Sequence, residues 1–210
     1  MNILLCHGWG LDASYWKHLV PLFFPHRVHV IDQGYFRKPI PFPCSGTWIG
    51  VGHSLGFIKL LQSSLSFSAL IGINSFLEFL GPASIRTKRH NELLAITKSF
   101  KEHPIHTLSS FREGCGMPHQ GIDEECLNKD LLLNDLKSLA HDYSALLPAR
   151  VPCLSIESSN DPIVPLACGL GANQGVSRII IEANGHSLGL HHALAVKNEM
   201  TNWVRTTHAL

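Results

Sequence analysis

The chain reads as an α/β fold: a mostly parallel sheet with helices on both faces and a helical lid inserted after the fourth predicted strand. Three observations predict it. Short apolar runs with the length of buried strands alternate with segments of helical character, the pattern of repeated βαβ units. At 210 residues, 45% hydrophobic and 16% charged, the chain is long enough to bury the core of one domain with one insertion. The gap between the fourth and fifth apolar runs is too long for a crossover and for a structureless loop, so it must hold structure of its own.

Taken in order, strands are expected at 2–6, 28–32, 48–53, 69–74, 151–157 and 177–182, with helical segments near 13–23, 55–65, 166–172 and 189–206. Met1 to Cys6 could pass for the apolar part of a signal peptide. However, it lacks a basic start and runs straight into His7-Gly8, so it reads as the first strand. Gln33 to Thr47 holds Pro39, Pro41 and Pro43 and shows no helical period, so no helix is expected there. The core is assigned to 1–75 and 149–210 and the lid to 76–148. In the lid, Ser84 can cap a helix reaching about Lys101, and Pro104 suits the first turn of a second. Asp123-Glu124-Glu125 puts negative charge at the start of a third, whose Leu127, Leu131 and Leu139 fall near one helical face.

The chemistry centres on Gly52-His53-Ser54-Leu55-Gly56, set between the apolar run Trp48 to Val51 and a helical segment. A strand turning through Gly-x-Ser-x-Gly into a helix is a nucleophile elbow, in which the serine is strained and a Cβ two residues away would clash. The pentapeptide alone is a weak signal; the order of the remaining pieces gives it weight. His7-Gly8-Trp9-Gly10 follows the first strand, Asp161-Pro162 follows the fifth, and Glu182-Ala183-Asn184-Gly185-His186 closes the sixth. Loop, nucleophile, acid and histidine thus occur in the order of an α/β serine hydrolase, each just past a strand's C-terminal end.

On these residues the chain resembles the α/β-hydrolase superfamily throughout. More narrowly it is similar to the pimeloyl-[acyl-carrier protein] methyl ester carboxylesterases of biotin synthesis. The narrower likeness rests on His7-Gly8-Trp9-Gly10-Leu11-Asp12-Ala13-Ser14-Tyr15-Trp16, on the spacing of the acid and histidine blocks, and on Leu108 to Met117 with Phe111. The chain departs from that family in lacking a helix over Gln33–Thr47, in lacking the N-terminal β-hairpin, and in carrying His53 in the elbow where tryptophan is common. The resemblance implies the α/β-hydrolase fold and hydrolysis of an acyl methyl ester, with pimeloyl-[acyl-carrier protein] methyl ester as the expected substrate and no cofactor.

The expected roles follow. Ser54 is the nucleophile, His186 the base and Asp161 the acid that orients it; Glu157 and Asp32 are rival acids outside the expected loop. The backbone N–H groups of Trp9 and Leu55 would form the oxyanion hole. Trp9 and Phe111 would line the acyl pocket or serve as ordinary core aromatics. His7 is read as a brace of the oxyanion loop and His53 as elbow packing. His191 and His192 point to different helix faces with no acid or thiol ligands gathered nearby, so no metal is expected.

Six cysteines without a Cys-x-x-Cys pair suit a reduced, cytoplasmic protein. A net charge of +1 argues against a nucleic-acid partner, and no apolar run reaches the roughly 20 residues needed to span a bilayer. A monomer is expected. From Ser84 to Lys101, Arg86, Lys88, Arg89, Lys98 and Lys101 oppose Glu92 alone. That helix is either a solvated face or, through Arg86, Lys88 and Arg89, a landing site for an acidic acyl-carrier protein. Two other functions fit the residues: a general short-chain esterase or thioesterase, and a non-catalytic binding protein on a hydrolase fold.

Overall fold

The computed structural model describes residues 1–117 and 121–207; residues 118–120 of the expected lid lie outside them. Six strands form one sheet: β1 (Asn2–Cys6), β2 (Arg27–Ile31), β3 (Thr47–His53), β4 (Ser66–Ile73), β5 (Cys153–Asn160) and β6 (Ser177–Asn184). Their order is β2-β1-β3-β4-β5-β6, and each neighbouring pair is parallel. The helices are α1 (Leu55–Leu61), α2 (Ala83–Glu102), α3 (Pro104–Gly114), α4 (Lys129–Ser138), α5 (Leu188–His191) and α6 (Ala193–Thr207).

The inner strands are apolar on both faces because both faces are covered. Side chains alternate across the sheet, so Ile3, Leu5, Val51 and Ile71 pack on one side with Tyr15, Trp16 and the α6 residues Val196 and Met200. Leu4, Cys6 and Leu70 point the other way, onto Phe57 and Ile58 of α1. The same layer continues without a break into Leu93 and Phe100 of α2 and Leu132 and Leu136 of α4.

Polar contacts fix α4 to the sheet layer. Asp135 Oδ2 accepts a 2.5 Å hydrogen bond from the buried Tyr35 hydroxyl, and its Oδ1 pairs with Lys59 of α1. Burial and the facing carboxylate push the Tyr35 phenol well above its usual range, so it stays a donor. Among the described residues no helix is long and apolar enough to cross a membrane.

Several boundaries differ from the sequence reading. Residues 13–23 are two 3-10 turns, Ala13–Trp16 and Val20–Phe23, in place of one helix, with Pro21 unable to donate a backbone bond. The segment 166–172 is helical only as a 3-10 turn over Leu170–Ala172. Pro82, not Ser84, occupies the N-cap position of α2. The third helix of that region starts at Lys129, capped by Asn128 accepting from the Leu131 amide, four residues beyond the Asp123-Glu124-Glu125 cluster.

Candidate active site

β3 ends at His53, and Ser54 follows with φ 52° and ψ −126°, a backbone conformation that is strained for any residue with a Cβ. The flanking glycines allow it. A Cβ on Gly52 would lie 2.3 Å from Phe57 Cα, and one on Gly56 would lie 2.2 Å from the Cys6 carbonyl oxygen. Helix α1 therefore packs backbone to backbone on β3 and β1. The elbow is further held by the end of β4: the Ser54 amide donates to the Ile73 carbonyl (3.1 Å), and Ser75 Oγ donates to the Ser54 carbonyl (2.8 Å).

The acid and the histidine lie just beyond the ends of β5 and β6. Asp161 Oδ1 accepts from the amides of Ile163 (2.8 Å) and Val164 (3.0 Å), and its Oδ2 accepts from His186 Nδ1 at 2.7 Å. A carboxylate at Nδ1 places the proton there and leaves Nε2 as a bare lone pair. That Nε2 is buried and has no hydrogen-bond partner among the described residues, so Ser54 Oγ does not complete the bond to it in this structure. Neither rival acid reaches His186. Glu157 accepts from Ser155 Oγ (2.6 Å), the Gly171 amide (2.7 Å) and Arg178. Asp32 accepts from the Gly34 (2.9 Å) and Ala13 (3.2 Å) amides.

The loop after β1 comes against the elbow: a Cβ on Gly8 would sit 3.0 Å from Ser54 Cβ. His7 braces this loop. Its Nε2 accepts from the Gln33 amide (3.0 Å), which leaves Nδ1–H to donate to the Gly8 carbonyl (2.9 Å). Among the described residues neither the Trp9 nor the Leu55 amide donates to a loop, turn or side-chain acceptor. The Trp9 indole donates to the Leu132 carbonyl of α4 (2.8 Å) and meets Phe111 and Phe100 edge-on, with ring centroids 4.8 and 5.9 Å away.

Trp9, Ser54, Leu55 and Phe111 line one cavity of about 170 Å³, with Leu93 and Leu136 among its other walls. A larger groove of about 820 Å³ runs between Asn2, Thr47 and the α6 residues Met200 and Val204. It lies at the opposite ends of the strands and contains none of these side chains.

The structure corrects one sequence expectation. Arg89 does not share an exposed face with Arg86 and Lys88: it is 6% exposed, and its Nε and Nη2 donate to the carbonyls of Phe79 (2.8 Å) and Ile163 (3.0 Å). Its guanidinium lies over the Phe79 ring at 4.3 Å, and the side chain lines the cavity. Arg86 pairs with Glu78, while Lys88 is 80% exposed and 3.8 Å from Glu92. The spacing held the signal, because 89, 93, 96 and 100 fall on one helix face with Leu93, Ile96 and Phe100.

One other residue escaped the sequence reading. Asn74, just after β4, adopts φ 45°, a left-handed conformation that asparagine tolerates. Its Nδ2 donates to the His186 carbonyl (2.9 Å) and to Ser158 Oγ (3.1 Å), while its Oδ1 accepts from the Ser158 amide (2.8 Å). No pattern around Asn74 announces this. His53, read from the sequence as elbow packing, stacks on Tyr15 at 4.3 Å and donates from Nε2 to the same His186 carbonyl at 2.9 Å. Burial, reinforced by the neighbouring His186, pushes its pKa well below the usual range and keeps it neutral.

No protein-family model matches the chain. Among curated proteins, the pimeloyl-[acyl-carrier protein] methyl ester esterase of Photobacterium profundum is 32% identical over 81 residues, covering 30% of this chain and 31% of that protein. The enzyme of the same name from Pectobacterium atrosepticum is 34% identical over 82 residues, covering 31% of each. The chain thus spans about 31% of the length of the curated relatives it matches. Solved structures align over nearly the whole chain. A bromoperoxidase from Bacillus anthracis gives a TM-score of 0.79 at 15% identity, covering 97% of this chain and 91% of its own. An esterase from Exiguobacterium antarcticum gives 0.76 at 16% identity, with 98% and 92% covered. The fold is therefore that of the α/β-hydrolases, and over the matched part of its length the chain resembles the pimeloyl-[acyl-carrier protein] methyl ester esterases.

Proposed function

We propose that the chain is a serine carboxylesterase acting on an acyl methyl ester. The observation that carries this reading is the Asp161–His186 bond at 2.7 Å, which leaves His186 Nε2 bare and buried just past the end of β6, while Ser54 stands on its strained elbow just past the end of β3. In this mechanism His186 Nε2 takes the Ser54 proton as Oγ attacks the ester carbonyl, and Asp161 stabilises the imidazolium that forms. The Trp9 and Leu55 amides receive the oxyanion. His186 then protonates the departing alkoxide, and water activated by the same base releases the acyl group. Helices α2, α3 and α4, within residues 76–148, act as a lid over the 1–75 and 149–210 core, excluding water from the cavity.

The finer reading is pimeloyl-[acyl-carrier protein] methyl ester as substrate, in the cytoplasm. The partial matches to esterases of that name and the His7–Trp16 block support it, and six unpaired cysteines suit a reducing compartment. The test is hydrolysis of p-nitrophenyl butyrate and of the methyl pimeloyl carrier ester by wild type and Ser54→Ala. Loss of several orders of magnitude on both is expected, with the fold retained. Near wild-type turnover by Ser54→Ala on either substrate would overturn the serine mechanism, and hydrolysis of the small ester alone would remove the carrier-bound substrate.

A further inference from the structure

We infer that the cavity also takes free half-esters of short dicarboxylic acids, with Arg89 holding the second carboxylate. Arg89 is a buried cation on an otherwise largely apolar wall, among Trp9, Phe79, Leu93 and Phe111. Two of its nitrogens are spent on carbonyls, Nε on Phe79 and Nη2 on Ile163. Among the described residues Nη1 has no partner and no carboxylate lies within ion-pair distance of the guanidinium. A guanidinium so shielded from water, with donors left over, is a ready receptor for a carboxylate, which it binds by charge-assisted hydrogen bonds. Glu92 also borders the cavity, but its side chain is 56% exposed and sits 3.8 Å from Lys88, so its charge is screened on the solvent side.

Size sets the chain length. A cavity of about 170 Å³ is close to the ~150 Å³ engineered cavities that accept a benzene-sized guest. A four- or five-carbon diacid has about eight or nine heavy atoms, a little more than such a guest, so diacids of that length are the largest the enclosed space holds. The carrier-bound ester presents no free carboxylate at that position, so this is an additional activity. The substrate half rests on the esterase reading above; the binding half does not. In the reaction the acyl–oxygen bond to methanol breaks, the acyl group passes to Ser54, and water releases it as the dicarboxylate with one proton.

The test compares monomethyl glutarate with dimethyl glutarate, which share a chain and differ in one negative charge. Wild type should prefer the monomethyl ester by about tenfold or more in kcat/KM, the ratio a hydrogen bond to a charged partner supports. Arg89→Gln should bring that ratio toward one, and Arg89→Lys should retain part of it. Wild type favouring the dimethyl ester, or Arg89→Gln lowering both rates with the ratio intact, would overturn the inference and leave Arg89 as a clamp on the Asp161 loop. Calorimetry with glutarate separates the two readings. If wild type hydrolyses neither ester yet binds glutarate, with Arg89→Gln binding it at least tenfold more weakly, the esterase reading fails and the anion site stands. Equal or absent glutarate binding by both proteins removes the site.

Discussion

Removing the Asp135 carboxylate should loosen α4 from the sheet and lower stability measurably. Asp135→Ala leaves the Tyr35 hydroxyl, fully buried, without its 2.5 Å acceptor. An orphaned buried donor costs about 1–3 kcal/mol. Lys59 also loses its partner. Breaking a buried pair costs about 3–5 kcal/mol, but the Lys59 side chain is 21% exposed and can turn its ammonium toward water. Both effects together should come to about 3 kcal/mol, because the lysine recovers much of its solvation. At roughly 2–4 °C per kcal/mol for a domain of this size, Tm should fall by roughly 6–12 °C in scanning calorimetry. Asp135→Asn should fall less, since the amide oxygen still accepts from Tyr35. The Lys59→Met, Asp135→Leu pair should recover part of the loss by burying apolar groups in place of charges. An Asp135→Ala protein within about 2 °C of wild type would show that the network does not hold α4.

Three further outcomes are expected. Asp161→Asn should lower kcat on p-nitrophenyl butyrate by about 10⁴ with little change in KM, because the amide favours the wrong imidazole tautomer; a larger loss from Glu157→Gln would move the acid to Glu157. Reversing Arg86 and Lys88 to Glu should slow hydrolysis of a carrier-bound ester at low salt, with the defect shrinking toward 1 M, where the Debye length is roughly 3 Å; equal defects on a free ester would mean a damaged helix. In native protein a thiol reagent at pH 8 should modify the exposed Cys44 and Cys126 and spare Cys6, Cys115, Cys153 and Cys168. Burial pushes the thiols of Cys115 and Cys153 up to about 12 and that of Cys6 still higher, so almost no thiolate exists at those positions until pH rises toward those values. Rapid labelling of Cys115 would contradict its buried position.

Strand positions and the order of the chemical residues were legible because each depends on local pattern. Apolar runs mark strands covered on both faces, and the glycines of the elbow are required by contacts of 2.2 and 2.3 Å that no side chain could make. Helix starts in the insertion were less legible. Asp123-Glu124-Glu125 has the right charge for an N-terminus, yet Asn128 makes the cap, since geometry at the Leu131 amide decides and composition does not. Arg89 was misplaced because a charged residue on an apolar helical stripe is usually assigned to solvent, and the carbonyls of Phe79 and Ile163 that receive it come from distant segments. Asn74 was invisible for the same reason: its partners His186 and Ser158 are brought to it only by the pairing of β5 with β6 and of β4 with β5.

The pairing of β4 with β5 divides the catalytic machinery. Ser54, Trp9 and Leu55 belong to the chain before β4 ends, and Asp161 and His186 to the chain after β5 begins. The seam is short: Leu70–Ile73 pair with Cys153–Ile156, whereas β3 pairs with β4 from Thr47 to His53. Nucleophile and base are therefore registered to one another across a short junction, no longer than that of β1 with β3, reinforced there by Asn74. A partial opening at this line would separate them while leaving both halves folded, so heat inactivation should precede the loss of secondary structure.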